Sequence, residues 1–197
     1  MKDNMSFATD NWEEFEKLSI SILETYLPAD SEISYSITHT PNRKDGGYDG
    51  LIIISSDNEN IDQYKILSES KLRELSNKDL PMSDFSKTLI IAINLMAQKI
   101  YIFTNLHYST ETQKRIHKFS SFSNIQVELV DIFEVSDRVK ELYKTLKDTY
   151  SPTFLKKIID SVSSHPASKR VSFEKKVHIT SLSKLIGSDR NNQLDQC

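Results

Sequence analysis

A chain of 197 residues with 38% hydrophobic residues is long and apolar enough for one packed domain, and a net charge of −3 with a pI near 6.0 argues against coating nucleic acid by bulk attraction. No apolar run approaches the roughly 18 residues of a membrane span, and the first residues are too polar for a signal peptide, so a cytoplasmic protein with no membrane partner is expected. The sole cysteine is Cys197, which excludes an internal disulfide framework and a cysteine-rich zinc site and leaves oxygen or histidine to hold any metal.

Asp10 or Asn11 is placed to cap a first helix over about 12–27, where Trp12, Phe15, Leu18, Ile22 and Tyr26 recur at helical spacing before Pro28. Ile33, Tyr35 and Ile37 alternate with Ser34, Ser36 and Thr38, the pattern of a strand with one polar face, which stops at the turn-rich segment from Pro41 to Gly47. Tyr48 to Ser55 contains Leu51-Ile52-Ile53-Ile54 and reads as a strand buried on both faces, Asp57 to Asn60 as a hairpin loop, and Ile61 to Arg73 as the return strand. Ser83 is placed to cap a helix carrying Phe85, Leu89, Ile93 and Met96, followed by an apolar strand over 99–104. A helix from Ser109 to about Phe119, a strand over 125–130 and a helix over about 135–147 complete an αβββαβ core with a further αβα run. Strands separated by helices imply parallel crossovers, so the expected class is α/β, a mixed central sheet flanked by helices.

The α/β core is thereby assigned to residues 1–150. Residues 151–197 are expected to be a helical segment, over about 152–162, and a basic polar linker or extension. From Pro152 onward Lys and Arg outnumber Asp and Glu eight to four, and beyond His165 the apolar periodicity fades.

Three residues on neighbouring strands carry the chemistry. Glu69 and Lys71 are two apart on one strand and so share a face. A hairpin loop centred between Asn58 and Glu59 brings Asp49 within one residue of register of Glu69, and acids so opposed repel unless a cation lies between them. Two carboxylates with carbonyls and water make the oxygen-rich shell that suits Mg²⁺, with Mn²⁺ as a substitute. Lys71 is then placed to orient a water or stabilise charge developing on a phosphate.

Glu16 is a fourth candidate, because Ile20, Leu23 and Leu27 follow it on an apolar helix stripe, whereas Glu13 is better read as an exposed partner of Lys17. Arg43, Lys44 and Arg73 are candidate nucleic-acid contacts; Lys114, Arg115 and Lys118 also offer local positive charge. Plainer readings stand beside these. Asp49 also suits a turn flanked by Gly46, Gly47 and Gly50, Glu69 with Lys71 suits an ordinary cross-strand charge pattern, and Glu16 suits a solvated helix edge. The scattered histidines read as structural or surface residues, with His107 near a strand end. Tyr48 reads as packing, and Ser70 lacks a histidine base.

The order Trp12-Glu13-Glu14-Phe15-Glu16, Asp45-Gly46-Gly47-Tyr48-Asp49-Gly50, Glu69-Ser70-Lys71 and Phe103-Thr104-Asn105, with Val130-Asp131 after it, resembles the catalytic domain of Mrr-type restriction endonucleases, in the PD-(D/E)XK nuclease superfamily. The resemblance spans roughly residues 12–145. It implies a restriction-endonuclease-like fold and a Mg²⁺-dependent DNA endonuclease, plausible in bacterial defence. Asp49 and Glu69 would be the metal ligands, and Lys71 and Glu16 further catalytic residues. The strand entering the Glu-x-Lys element, Ile66-Leu67-Ser68, is less apolar than is usual there. Two other readings keep the same fold: an effector or interaction module with an NTPase or sensor domain C-terminal to it, and a resolvase of four-way DNA junctions. Cutting both strands calls for a second active site, which points to a homo-oligomer.

Overall fold

The computed structural model describes residues 11–27, 33–40, 47–56, 63–73 and 80–164. Five strands form one sheet in sequence order: β1 (Ile33–His39), β2 (Gly50–Ser56), β3 (Tyr64–Lys71), β4 (Lys99–Thr104) and β5 (Gln126–Val130). The first three make an antiparallel meander. The pairs β3–β4 and β4–β5 are parallel, as intervening helices require. The expected mixed sheet with flanking helices is the observed architecture.

Two apolar layers hold it together. On one face Ile52, Ile54, Ile66, Tyr101, Phe103 and Val130 pack against α1 (Trp12–Glu24), α4 (Ile132–Leu146) and α5 (Pro152–Ser164). On the other, Leu67, Ile100 and Ile102 pack against α2 (Ser86–Asn94) and α3 (Thr110–Ser123). Residues 66–68, though only moderately apolar, are wholly buried, since β3 is central and covered on both sides. Lys99 is also buried, with its ammonium 3.3 Å from Glu128 and over the Tyr101 ring, which meets the need of a buried charge for a partner.

Several element ends differ from expectation for local reasons. The first helix stops at Glu24 because both the N–H and the hydroxyl of Thr25 turn to the Ile22 carbonyl, tightening the last turn. Asn11 occupies its cap position without a side-chain bond. Ser83 lies in a 3₁₀ turn, Met82–Asp84, and caps nothing; α2 begins only at Ser86, and its buried face is Leu89 with Thr88 and Ala92, leaving Ile93 and Met96 exposed. The strand containing Tyr48 begins at Gly50, with Ile52 and Ile54 buried but Leu51 and Ile53 only half-buried, since β2 has just the short edge strand β1 beyond it. β3 ends at Lys71, short of Arg73. The third helix runs on to Ser123, where Asn124 takes a left-handed conformation (φ 58°) that closes it. α4 starts at Ile132, three residues early, because the Asp131 carboxylate accepts the N–H groups of Phe133 and Glu134.

The helix over 152–164 belongs to the first layer: Phe154, Leu155 and Ile158 are buried there beside Leu146 and Tyr150. Pro152 at its first position needs no N–H partner. Because Leu155 is wholly buried, Leu155→Ala is expected to cost about 2–5 kcal/mol of stability in urea denaturation. A loss below about 0.5 kcal/mol, the range of an ordinary surface substitution, would instead mark α5 as an appendage.

Candidate active site

The start of β2 and the end of β3 meet at one end of the sheet. The ladder pairs Gly50 with Ser68, one residue from the loop-centred expectation. Asp49, just outside it, bonds the backbone on either side of Glu69. Its N–H donates to Ser68 O at 2.8 Å, and its Oδ2 accepts the Ser70 N–H at 2.5 Å. From the other side, the Thr40 N–H donates to Asp49 O at 2.9 Å and the Thr40 hydroxyl to Tyr48 O at 2.5 Å. Asp49 is thus fixed by main chain from both neighbouring strands.

Glycines let the helices come close enough to contribute. A Cβ on Gly50 would lie 2.3 Å from Ile20 Cδ1, so only glycine admits α1 here without displacing Ile20. Glu16 lies one turn before Ile20 on the same face, and its carboxyl comes close enough to Asp49 for its charge to act there. On the opposite side of the sheet, Gly47 has φ +66° and a carbonyl that accepts the Thr88 hydroxyl at 2.6 Å, which ties the turn before Asp49 to α2.

Glu69 is 2% exposed and points with Leu67 and Lys71 toward the α2 face. Its Oε1 is in direct contact with the Lys71 ammonium. Among the described residues its Oε2 is buried without a hydrogen-bond partner; the Thr88 hydroxyl borders Glu69, but its one proton goes to Gly47 O. A buried carboxylate oxygen in this state carries a desolvation penalty that the charges of Lys71 and Lys87 offset only in part.

The electrostatics follow from the crowding. Burial, then the charges of Glu69 and Glu16, push the Asp49 carboxyl from 3.8 up to about 8. Burial, then Glu69 and Glu13, push Glu16 up to about 7. Glu69 is also raised by burial, against the pull of Lys71 and Lys87. The structure therefore brings Glu16, Asp49, Glu69 and Lys71 together as three acids around one ammonium. Among the described residues no group of three His, Cys, Asp or Glu side chains forms a ready-made metal cage.

The proposed nucleic-acid contacts fare differently. Arg43 and Lys44 lie outside the described residues. Arg73 is exposed beyond the end of β3, with its guanidinium already engaged by Asp84 at 3.0 Å. Its backbone is held in both directions by Asn105, whose Oδ1 accepts the Arg73 N–H and whose amide donates to Arg73 O. Thr104 donates to Lys71 O, so the Thr104-Asn105 pair fixes the chain leaving the Glu69-Ser70-Lys71 element. On α3, Lys114, Arg115 and Lys118 are exposed, and Arg115 is paired with Glu111. His107 pairs through Nδ1 with Asp131 Oδ2 at 2.7 Å, at the same end of the sheet. Glu13 and Lys17 are both exposed but form no ion pair; Glu13 instead adds to the negative field at Glu16. Sequence reasoning missed Thr88 and Lys87, because a threonine and a lysine in the first turn of a helix carry no signal of what they face.

No family model matches the chain, and no curated protein matches it significantly. Among solved structures it is similar to the MspJI restriction endonuclease in complex with a 27-mer oligonucleotide, with a TM-score of 0.51 and 16% identity over 76% of this chain. The fold is restriction-endonuclease-like. The chain spans 31% of that protein's length. No described helix is long and apolar enough to cross a membrane.

The raised acids have a consequence for stability. Asp49 and Glu16 hold their protons more tightly folded than unfolded, so their contribution is fully present below pH about 4 and is lost as pH rises through about 7 to 8. Metal-free protein is accordingly expected to melt at a lower temperature at pH 8 than at about pH 5, and Asp49→Asn to flatten that slope. Thermal melts across this range check it; a flat or rising profile for the native protein contradicts the assignment of the shifts.

Proposed function

We propose that this protein is a divalent-metal-dependent DNA endonuclease of the PD-(D/E)XK type, similar to Mrr-type restriction endonucleases and acting in bacterial defence. The observation that carries the reading is the buried Oε2 of Glu69, unpartnered among the described residues and set beside Asp49 and Lys71. A binding module for DNA gains nothing from acids turned toward phosphate, whereas a phosphodiesterase needs them to hold a cation. Support comes from the restriction-endonuclease-like fold, and from the DNA chemistry that the similar protein's description as a restriction endonuclease implies for this chain.

The residues present fit Mg²⁺, or Mn²⁺ in its place. Asp49 and Glu69 are adjacent oxygen donors, one with a buried oxygen that no described donor meets, and Mg²⁺ is usually held by one or two carboxylates with water and phosphate completing the shell. When bound, the ion polarises the phosphate and acidifies water. The protein's own groups do the rest. The backbone on either side of Glu69 fixes Asp49, so the two donors keep one spacing without reorganising. Lys71, held at Glu69 and 25% exposed, presents its ammonium to the cleft, where it orients the attacking water and stabilises charge developing on phosphate oxygen. Glu16, raised to about 7, exchanges protons near neutral pH and is suited to take one from that water.

Purified protein is expected to hydrolyse duplex DNA with Mg²⁺ and not after chelation. Asp49→Ala, Glu69→Ala and Lys71→Ala should each lower the rate by about 10²-fold or more, with unchanged circular dichroism. Cleavage that survives these substitutions or ignores chelation would overturn the proposal.

A further inference from the structure

We propose that Lys87 is a phosphate-positioning residue, its ammonium binding a backbone phosphate of the DNA strand that enters the site. The inference rests on the nuclease reading and adds to it a residue outside the acid and lysine core. Lys87 stands in the first turn of α2, and its neighbour Thr88 anchors that turn to the Gly47 carbonyl. The stem of Lys87 lies along Gly47, where a Cβ would come within 3.0 Å of both its Cγ and its Cδ. Gly47 is two residues before Asp49, so the lack of a side chain there leaves a track along which Lys87 runs beside the acids. Its charge is felt at Glu69.

Availability sets Lys87 apart from Lys71 and Arg73, the described cations beside the acids. Lys71 is in contact with Glu69, and Arg73 with Asp84. Lys87 is exposed, and no described carboxylate lies within ion-pairing distance of its ammonium. A rim cation with no described carboxylate partner draws a phosphodiester toward the site before chemistry. A lysine there acts as a point charge, which selects phosphate and not base sequence.

The test is steady-state cleavage of one DNA duplex by native protein, K87Q and K87R over a salt series in Mg²⁺. K87Q is expected to raise KM several-fold with kcat within about twofold, and to reduce the slope of log KM against log salt by about 0.9, one phosphate contact. K87R should restore both. Unchanged KM and slope in K87Q overturn the inference while leaving the nuclease reading intact. So does a fall in kcat at constant KM, or a raised KM that K87R does not rescue. If native protein cleaves no duplex at any salt, the nuclease reading fails and this inference falls with it.

Discussion

Burying acids costs free energy, and at one end of this sheet Glu16, Asp49 and Glu69 crowd around the single ammonium of Lys71. Taken alone the cluster is a liability: two of its carboxyls are pushed to about 7 and 8, and a buried oxygen of the third has no donor among the described residues. Such a conflict is usually resolved by protons at low pH or by a cation at neutral pH. The chemistry proposed for the protein is a use of that conflict.

The rest of the structure holds the conflict in place. Its acids come from different elements: β3 supplies Glu69, the residue before β2 supplies Asp49, and α1 supplies Glu16. Each is fixed by a local feature. Parallel pairing of the central strand β3 with β4 buries Glu69 opposite Ile102. Thr104 and Asn105 pin the chain after Lys71. Asp49 is held by amides of both adjoining strands, and Gly50 lets α1 approach so closely that Glu16 arrives as well. Side chains fixed in this way can move neither out to water nor apart, so burial first, and for Glu16 and Asp49 their repulsion second, raises their proton affinity.

Much of this was legible in the sequence because period and punctuation are local. The apolar run from Lys99 to Thr104, the alternation in β1 and the helical stripe of α1 locate the sheet and its first helix. Hairpin counting brought Asp49 to within a residue of Glu69; the final step depends on loop geometry, which no residue count fixes. The early start of α4 had a readable signal, since Asp131 followed by Glu134 is a helix-start pattern, although it abuts a strand and was passed over. The packed face of α2 had none. Ile93 and Met96 fit the helical period better than Thr88 does, yet Thr88 is buried because its hydroxyl meets the Gly47 carbonyl, a contact made 41 residues away. Partners of that kind are set by tertiary approach, as is the place of Lys87 beside Gly47.

The central claim is that these acids share a divalent ion, and crystals grown with Mn²⁺ test it most directly through anomalous scattering. The account predicts a peak about 2.0–2.3 Å from carboxylate oxygens of both Asp49 and Glu69, close to the distances typical of hard divalent cations. A saturated crystal with no peak there, or with Mn²⁺ bound away from Glu69, would contradict it.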